Sequence, residues 1–147
     1  LADIPSDFVF ALSGHPDPEI ESQIRELGIE SRVRFLGMIP EEDLPAVYKG
    51  AHATMFVSKM EGFGLPLVES MASGTPVLTS SESSLPEIAG GAALCVSPGD
   101  VNAIKQGIEL LVHDESAYVS CVEKGLMRAR DFSWEKTATQ TWETILE

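Results

Sequence analysis

Short apolar runs recur along this chain, each stopped by glycine or a small polar residue, and segments with helical spacing lie between them. Asp7-Phe8-Val9-Phe10-Ala11-Leu12-Ser13 reads as a buried strand ending at Gly14. Pro18 to Leu27 carries Ile20, Ile24 and Leu27 at helical spacing and stops at Gly28. Arg32-Val33-Arg34-Phe35-Leu36 alternates as a second strand. Glu41, Glu42 and Asp43 then place negative charge at a helix start, and Leu44, Val47 and Tyr48 supply its apolar face. Ala53 to Val57 reads as a third strand, Leu65 to Ser73 as a helix and Pro76 to Thr79 as a fourth strand. A short helix over Pro86 to Ala89 closes at Gly90-Gly91, and Ala93 to Val96 is a fifth strand. Asp100 is placed to cap a helix through Leu111. Another helix runs from Glu115 to Arg130. Ser133 caps a last one, with Trp134, Ala138, Trp142 and Ile145 on one side.

Strands alternating with helices at short spacing predict an α/β fold. The sheet is expected to be parallel, doubly wound and Rossmann-like, with about five strands in a single domain over residues 1–147. Ligands of such sheets sit beyond the carboxyl ends of the strands. That rule draws Gly14, Gly37 to Pro40, Ser58 to Gly64 and Thr79 to Ser84 to one rim.

One segment of that rim carries unusual chemistry. Glu61-Gly62-Phe63-Gly64-Leu65-Pro66-Leu67-Val68-Glu69 separates two carboxylates by seven residues, with glycines and a proline between them. Glycine lets a ligand approach the backbone. Pro66 suits a first helical turn, where its missing N–H is no loss. Unpaired amides there, with the helix dipole, favour an anion such as a diphosphate. Carboxylates accept hydrogen bonds from sugar hydroxyls. A plain strand-to-helix turn with surface glutamates would show the same residues.

Composition narrows the partners. The 147 residues carry a formal charge of −13, which makes nucleic acid and anionic lipid poor partners. No apolar stretch is long enough to span a membrane. Cys95 and Cys121 show neither metal spacing nor a disulfide framework, and read as two buried thiols in a reducing cytoplasm. His15, His52 and His113 read as turn or structural residues. Glu87 follows Pro86 at a helix start, where charge placement explains it as well as ligand contact does. Ser80, Ser81, Ser83 and Ser84 lie where a phosphate could touch them, but solvated loop hydroxyls are the plainer reading. Trp134 and Trp142 are expected to pack the last helix onto the domain.

Five runs stand in a fixed order: Val33 to Gly37, Leu44-Pro45-Ala46-Val47-Tyr48, Glu61 to Val77, Leu85-Pro86-Glu87-Ile88-Ala89-Gly90 and Phe132-Ser133-Trp134. Together they resemble the C-terminal, donor-binding domain of the group 1 (family 4) retaining glycosyltransferases, one half of the GT-B architecture. The resemblance covers nearly the whole chain. It implies a nucleotide diphosphate sugar as donor, with the active site in a cleft between two Rossmann-like domains. Glu61 matches the catalytic-site glutamate that faces the transferred sugar. Glu69 matches the second glutamate, which bonds the ribose. Gly62, Phe63, Gly64 and Leu65 match the segment against sugar and diphosphate. Ile39 matches a position whose backbone meets the base.

The resemblance further implies that the acceptor-binding N-terminal domain, and a first strand with a Gly-rich turn and cationic clamp, lie outside this chain. The chain begins at Leu1 and is expected to be a C-terminal piece that alone binds donor nucleotide weakly, if at all, and transfers nothing. No cofactor or metal is expected. Membrane-surface association, frequent in the family, would be set elsewhere. The resemblance also implies a last helix that reaches back to the other domain, which would leave the Trp134 and Trp142 face uncovered in this chain. Val57 stands where proline often precedes Ser58. Two alternatives share the fold: a sugar-nucleotide epimerase, against which Phe63-Gly64-Leu65-Pro66 argues, and a non-catalytic interaction domain.

Overall fold

The computed structural model describes residues 4, 5 and 7–146. The chain forms two compact units, Leu1–Leu44 and Pro45–Glu147.

In the first unit, β1 (Phe10–Ser13) and β2 (Val33–Gly37) pair in parallel, with Phe10 opposite Val33 and Leu12 opposite Phe35. The register slips between Leu12 and Ser13. The crossover helix α1 (Pro18–Glu26) starts where the Asp17 carboxylate accepts from the Glu19 amide at 2.8 Å. Arg32, just before β2, donates to the carbonyls of Ile4, Pro5 and Phe8 and so ties the chain start to the strand pair.

The second unit begins in α2 (Leu44–Gly50), which follows a short 3₁₀ turn over Glu41–Asp43. Its sheet has the order β3 (Thr54–Phe56), β4 (Val77–Ser80), β5 (Leu94–Val96), all parallel. Between them run α3 (Leu65–Ala72) and α4 (Leu85–Ala89). After β5 come α5 (Val101–His113), α6 (Glu115–Ala129) and α7 (Trp134–Leu146). The sequence-predicted elements are all found, and every strand pairing is parallel, as expected. The five strands are divided, two in one unit and three in the other.

Strand β4 is buried along its whole length because both its faces are covered. Val77 lies with Leu67 and Met71 of α3 and with Leu85, Ile88 and Ala89 of α4. Leu78, the next residue, faces the other way and meets Leu111 of α5 and Cys121 of α6. Each such side chain taken fully from water contributes roughly 1.5–3 kcal/mol. Gly107 lets α5 press onto Leu78, whose methyl would strike a Cβ at that position.

Buried polar groups tie α3 to β3, the turn before β4 to α2, and β4 to β3. Ser70 Oγ donates to Thr54 Oγ1 at 2.8 Å, Thr75 Oγ1 to the Tyr48 carbonyl at 2.7 Å, and Thr79 Oγ1 to the Phe56 carbonyl at 2.9 Å. Among the described residues no buried side-chain polar atom lacks a partner. Asp100 and Asp114 cap α5 and α6, and Ser133 Oγ accepts from the Lys136 amide at the start of α7.

Two packing expectations fail. Trp134 and Trp142 do not dock α7: they are 76% and 63% exposed, and Ile145 and Leu146 beside them are exposed too. Helical spacing placed them on one side, but spacing does not say what that side meets. Cys121 is buried as expected. Cys95 is exposed, because β5 is the edge strand of its sheet and its second residue faces outward.

Candidate functional site

The loop after β3 reaches Glu61 and turns into α3 through Gly64. Gly64 holds φ +105°, a conformation that costs an L side chain but not glycine. A Cβ there would lie 2.6 Å from Leu85 Cδ2, so the turn is also pressed against the start of α4. Pro66 sits in the first turn of α3, as the sequence predicts. The Gly64 carbonyl accepts from the Leu67 amide at 3.0 Å. The amides of Gly62, Phe63, Gly64 and Leu65 find no acceptor among the described residues. They form a short row of donors at the positive end of a helix dipole, suited to an anion.

The two glutamates stand at either side of this row. Glu61, before it in the chain, is half-buried, and Glu69 is half-buried in α3. Glu69 has a partner that sequence reasoning missed: Tyr48 Oη donates to Oε2 at 3.0 Å. Burial first, then this bond and the Glu69 charge, push the Tyr48 hydroxyl well above its usual range, so it stays a donor. The second carboxylate oxygen has no protein partner among the described residues. The sequence places Tyr48 on the apolar face of its helix and in the Leu44-to-Tyr48 run; its bond to Glu69 follows from α2 lying beside α3, which spacing does not reveal.

Glu61 is held by its backbone. Ser83 Oγ accepts from the Glu61 amide at 3.2 Å and donates to the Glu61 carbonyl at 2.8 Å. Ser84 Oγ is within reach of the carbonyls of Glu61 (3.2 Å) and Phe63 (3.1 Å). Ser83 and Ser84 are thus tied to the Glu61 loop, Ser83 while still exposed and Ser84 half-buried, and Ser81 is exposed as a loop serine is expected to be. Ser80 is fully buried, its Oγ accepting from the Glu82 amide at 3.0 Å.

The Phe63 ring packs edge-on against Phe132, with centroids 5.7 Å apart, and Phe132 in turn lies under the Arg128 guanidinium. Ile39 follows β2 in the first unit, half-buried between Gly37 and Pro40. The structure thus gathers Glu61, Gly62, Phe63, Gly64, Leu65 and Glu69 on one turn and helix, and places Ile39 in the other unit. His52 is structural, as expected: its ring stacks on Tyr118 at 4.7 Å and its Nε2 lies 3.0 Å from the Leu111 carbonyl. Among the described residues no group of His, Cys, Asp and Glu is placed to hold a metal. No described helix is long and apolar enough to cross a membrane.

A family model described as glycosyl transferases group 1 matches residues 3–127. The chain belongs to this family. It is similar to O-antigen chain mannosyltransferase B of Escherichia coli, 41% identical over 133 residues that make up 88% of this chain and 35% of that protein. It is also similar to D-inositol 3-phosphate glycosyltransferase of Corynebacterium glutamicum (strain R), 37% identical over 78% of this chain and 28% of that protein. The chain thus spans about a third of the length of these curated relatives.

Among solved structures, it resembles the sucrose-phosphate synthase of Thermosynechococcus elongatus, with a TM-score of 0.83 and 31% identity, covering 92% of this chain and 37% of that one. Anabaena Alr3699/HepE, solved in complex with UDP and glucose, superposes with a TM-score of 0.88 over 98% of this chain and 42% of that one. At 24% identity that likeness is one of fold, the parallel α/β half of a GT-B glycosyltransferase.

Proposed function

We propose that this chain is the donor-binding part of a retaining glycosyltransferase that moves a sugar from a nucleotide diphosphate sugar to an acceptor hydroxyl. The observation that carries the reading is the row of unpaired amides from Gly62 to Leu65, flanked by Glu61 and Glu69 at the start of α3. Family membership supports it, as do the UDP and UDP-glucose complexes of the structurally similar Alr3699/HepE.

In this reading the amides of Phe63, Gly64 and Leu65 hold the diphosphate and stabilise the charge that builds on it as the glycosidic bond breaks. The dipole of α3 adds to that stabilisation. Glu69, steadied by Tyr48, offers its free oxygen to the ribose hydroxyls. Glu61 orients the transferred sugar and stabilises positive charge near its anomeric carbon. It need not act as a nucleophile: with attack from the leaving-group face, the departing phosphate takes the acceptor proton. The backbone of Ile39 meets the base. The acceptor is held by a domain that this chain does not contain, and transfer requires both.

The test is a titration of UDP, GDP and ADP, and of UDP-glucose, GDP-mannose and ADP-glucose, into the chain extended through the upstream strand and its cationic turn, followed by the amide resonances of Phe63 to Glu69. Those amides should shift with one of the nucleotides. Glu69→Ala should weaken binding of nucleotide and sugar nucleotide alike, whereas Glu61→Ala should weaken only the sugar-bearing form. Equal losses from both substitutions, or no shift in this segment, would sink the reading. Sugar transfer by the chain alone would overturn the assignment of the acceptor site to a separate domain.

A further inference from the structure

Ser83 is the only non-glycine residue with positive φ among the described residues, at +61°. Serine has little tolerance for the left-handed region, and strain of this kind persists only where surrounding contacts enforce it. Here those contacts are the two hydrogen bonds to Glu61. One hydroxyl accepts from the amide and donates to the carbonyl of the same residue, which uses its single hydrogen and one lone pair. The peptide units on both sides of the Glu61 Cα are thereby fixed, and the direction of its Cβ with them. Ser84 extends the suture to the Phe63 carbonyl, and Leu85 presses on Gly64.

A structural loop would meet its needs more cheaply. Glycine at position 83 would carry the same φ without strain, yet would lose the hydroxyl. We propose, on the donor-site reading above, that Ser83 is a positioning residue whose strained hydroxyl clamp aims Glu61 at the transferred sugar. It acts through Glu61 and touches no ligand itself.

The clamp separates stability from function, and Ser83→Gly tests it in the chain extended through the upstream strand and its cationic turn. Relief of backbone strain should leave the thermal midpoint equal or higher. Affinity for the bare nucleoside diphosphate should be unchanged. Affinity for the matching sugar nucleotide should fall about five- to tenfold, the worth of one orienting hydrogen bond. Ser83→Ala should lose the same sugar-dependent affinity while also unfolding at lower temperature, since it keeps the strain. A sugar-nucleotide affinity that survives Ser83→Gly overturns the proposal alone. So does an equal loss for nucleotide and sugar nucleotide, which would mark a general loosening of the loop. An unsubstituted extended chain that binds none of the six nucleotides overturns the donor site itself, and the purpose of the Ser83 clamp with it.

Discussion

The phenolic oxygen of Tyr48 lies 3.0 Å from Oε2 of Glu69, a bond that joins α2 to the carboxylate inside α3. Residues 21 apart in sequence are thus coupled at the point where the ribose is proposed to bind. The same tyrosine's carbonyl accepts from Thr75, so α2 is fixed at both its side chain and its backbone.

Tyr48→Phe removes only the donor. Stability should fall by about 1 kcal/mol, the usual net worth of such a bond, read from urea denaturation. Nucleotide affinity should fall about three- to tenfold as Glu69 loses its fixed orientation. The hydroxyl's folded-state pKa is raised above its unfolded value of about 10, chiefly by burial. Its contribution is therefore fully present below about pH 10 and is lost as pH climbs through the higher folded value. Denaturation midpoints between neutral pH and pH 9 should show no titration from this residue.

Two neighbouring glycines should respond differently to the same change. Gly64→Ala must place a methyl 2.6 Å from Leu85 Cδ2 at a φ of +105°. Left-handed strain and overpacking together should cost about 2–4 kcal/mol. Gly62 has open space around a Cβ and no positive φ, so Gly62→Ala should change stability by less than about 0.5 kcal/mol. Comparable losses in the two denaturation curves would contradict this account of the turn.

Arg128 caps a helix it does not belong to. Its guanidinium donates to the carbonyls of Glu87 (2.9 Å) and Ile88 (3.0 Å) near the end of α4, and to Asp131 (2.9 Å). Lysine keeps the charge but not the planar fork. Arg128→Lys should cost roughly 1–3 kcal/mol and speed hydrogen exchange at the Gly90 amide, which bonds the Pro86 carbonyl at that helix end. Unchanged exchange there would show that α4 closes without it.

The thiols should report the sheet edge. Burial pushes both above the usual range, and the nearby Lys124 partly offsets this at Cys121. Cys95 should react slowly with iodoacetamide at pH 7 and faster as pH rises and thiolate forms. Exposed Cys95 should label in the folded chain, whereas buried Cys121 should label only on unfolding. Labelling in the reverse order would contradict the placement of β5 at the edge.

Much of this was decided locally, and so was legible in the sequence. Strand and helix spans follow from apolar spacing, from caps such as Asp100 and Asp114, and from breakers such as Gly28 and Gly90, all of which act within a few residues. The turn from Glu61 to Glu69 was legible for the same reason. Its glycines, its proline and its two acids are contiguous, and helix-terminus physics follows from their order alone. What needed the tertiary structure was every pairing across sequence distance. No local rule tells Tyr48 that its hydroxyl will meet Glu69, or Ser83 that it must strain to hold Glu61, because those meetings depend on how α2 and the loop after β4 pack against α3. Burial was likewise undecided. The same helical spacing that buries Leu111 leaves Trp142 in water, because periodicity marks a face and only packing says whether anything covers it.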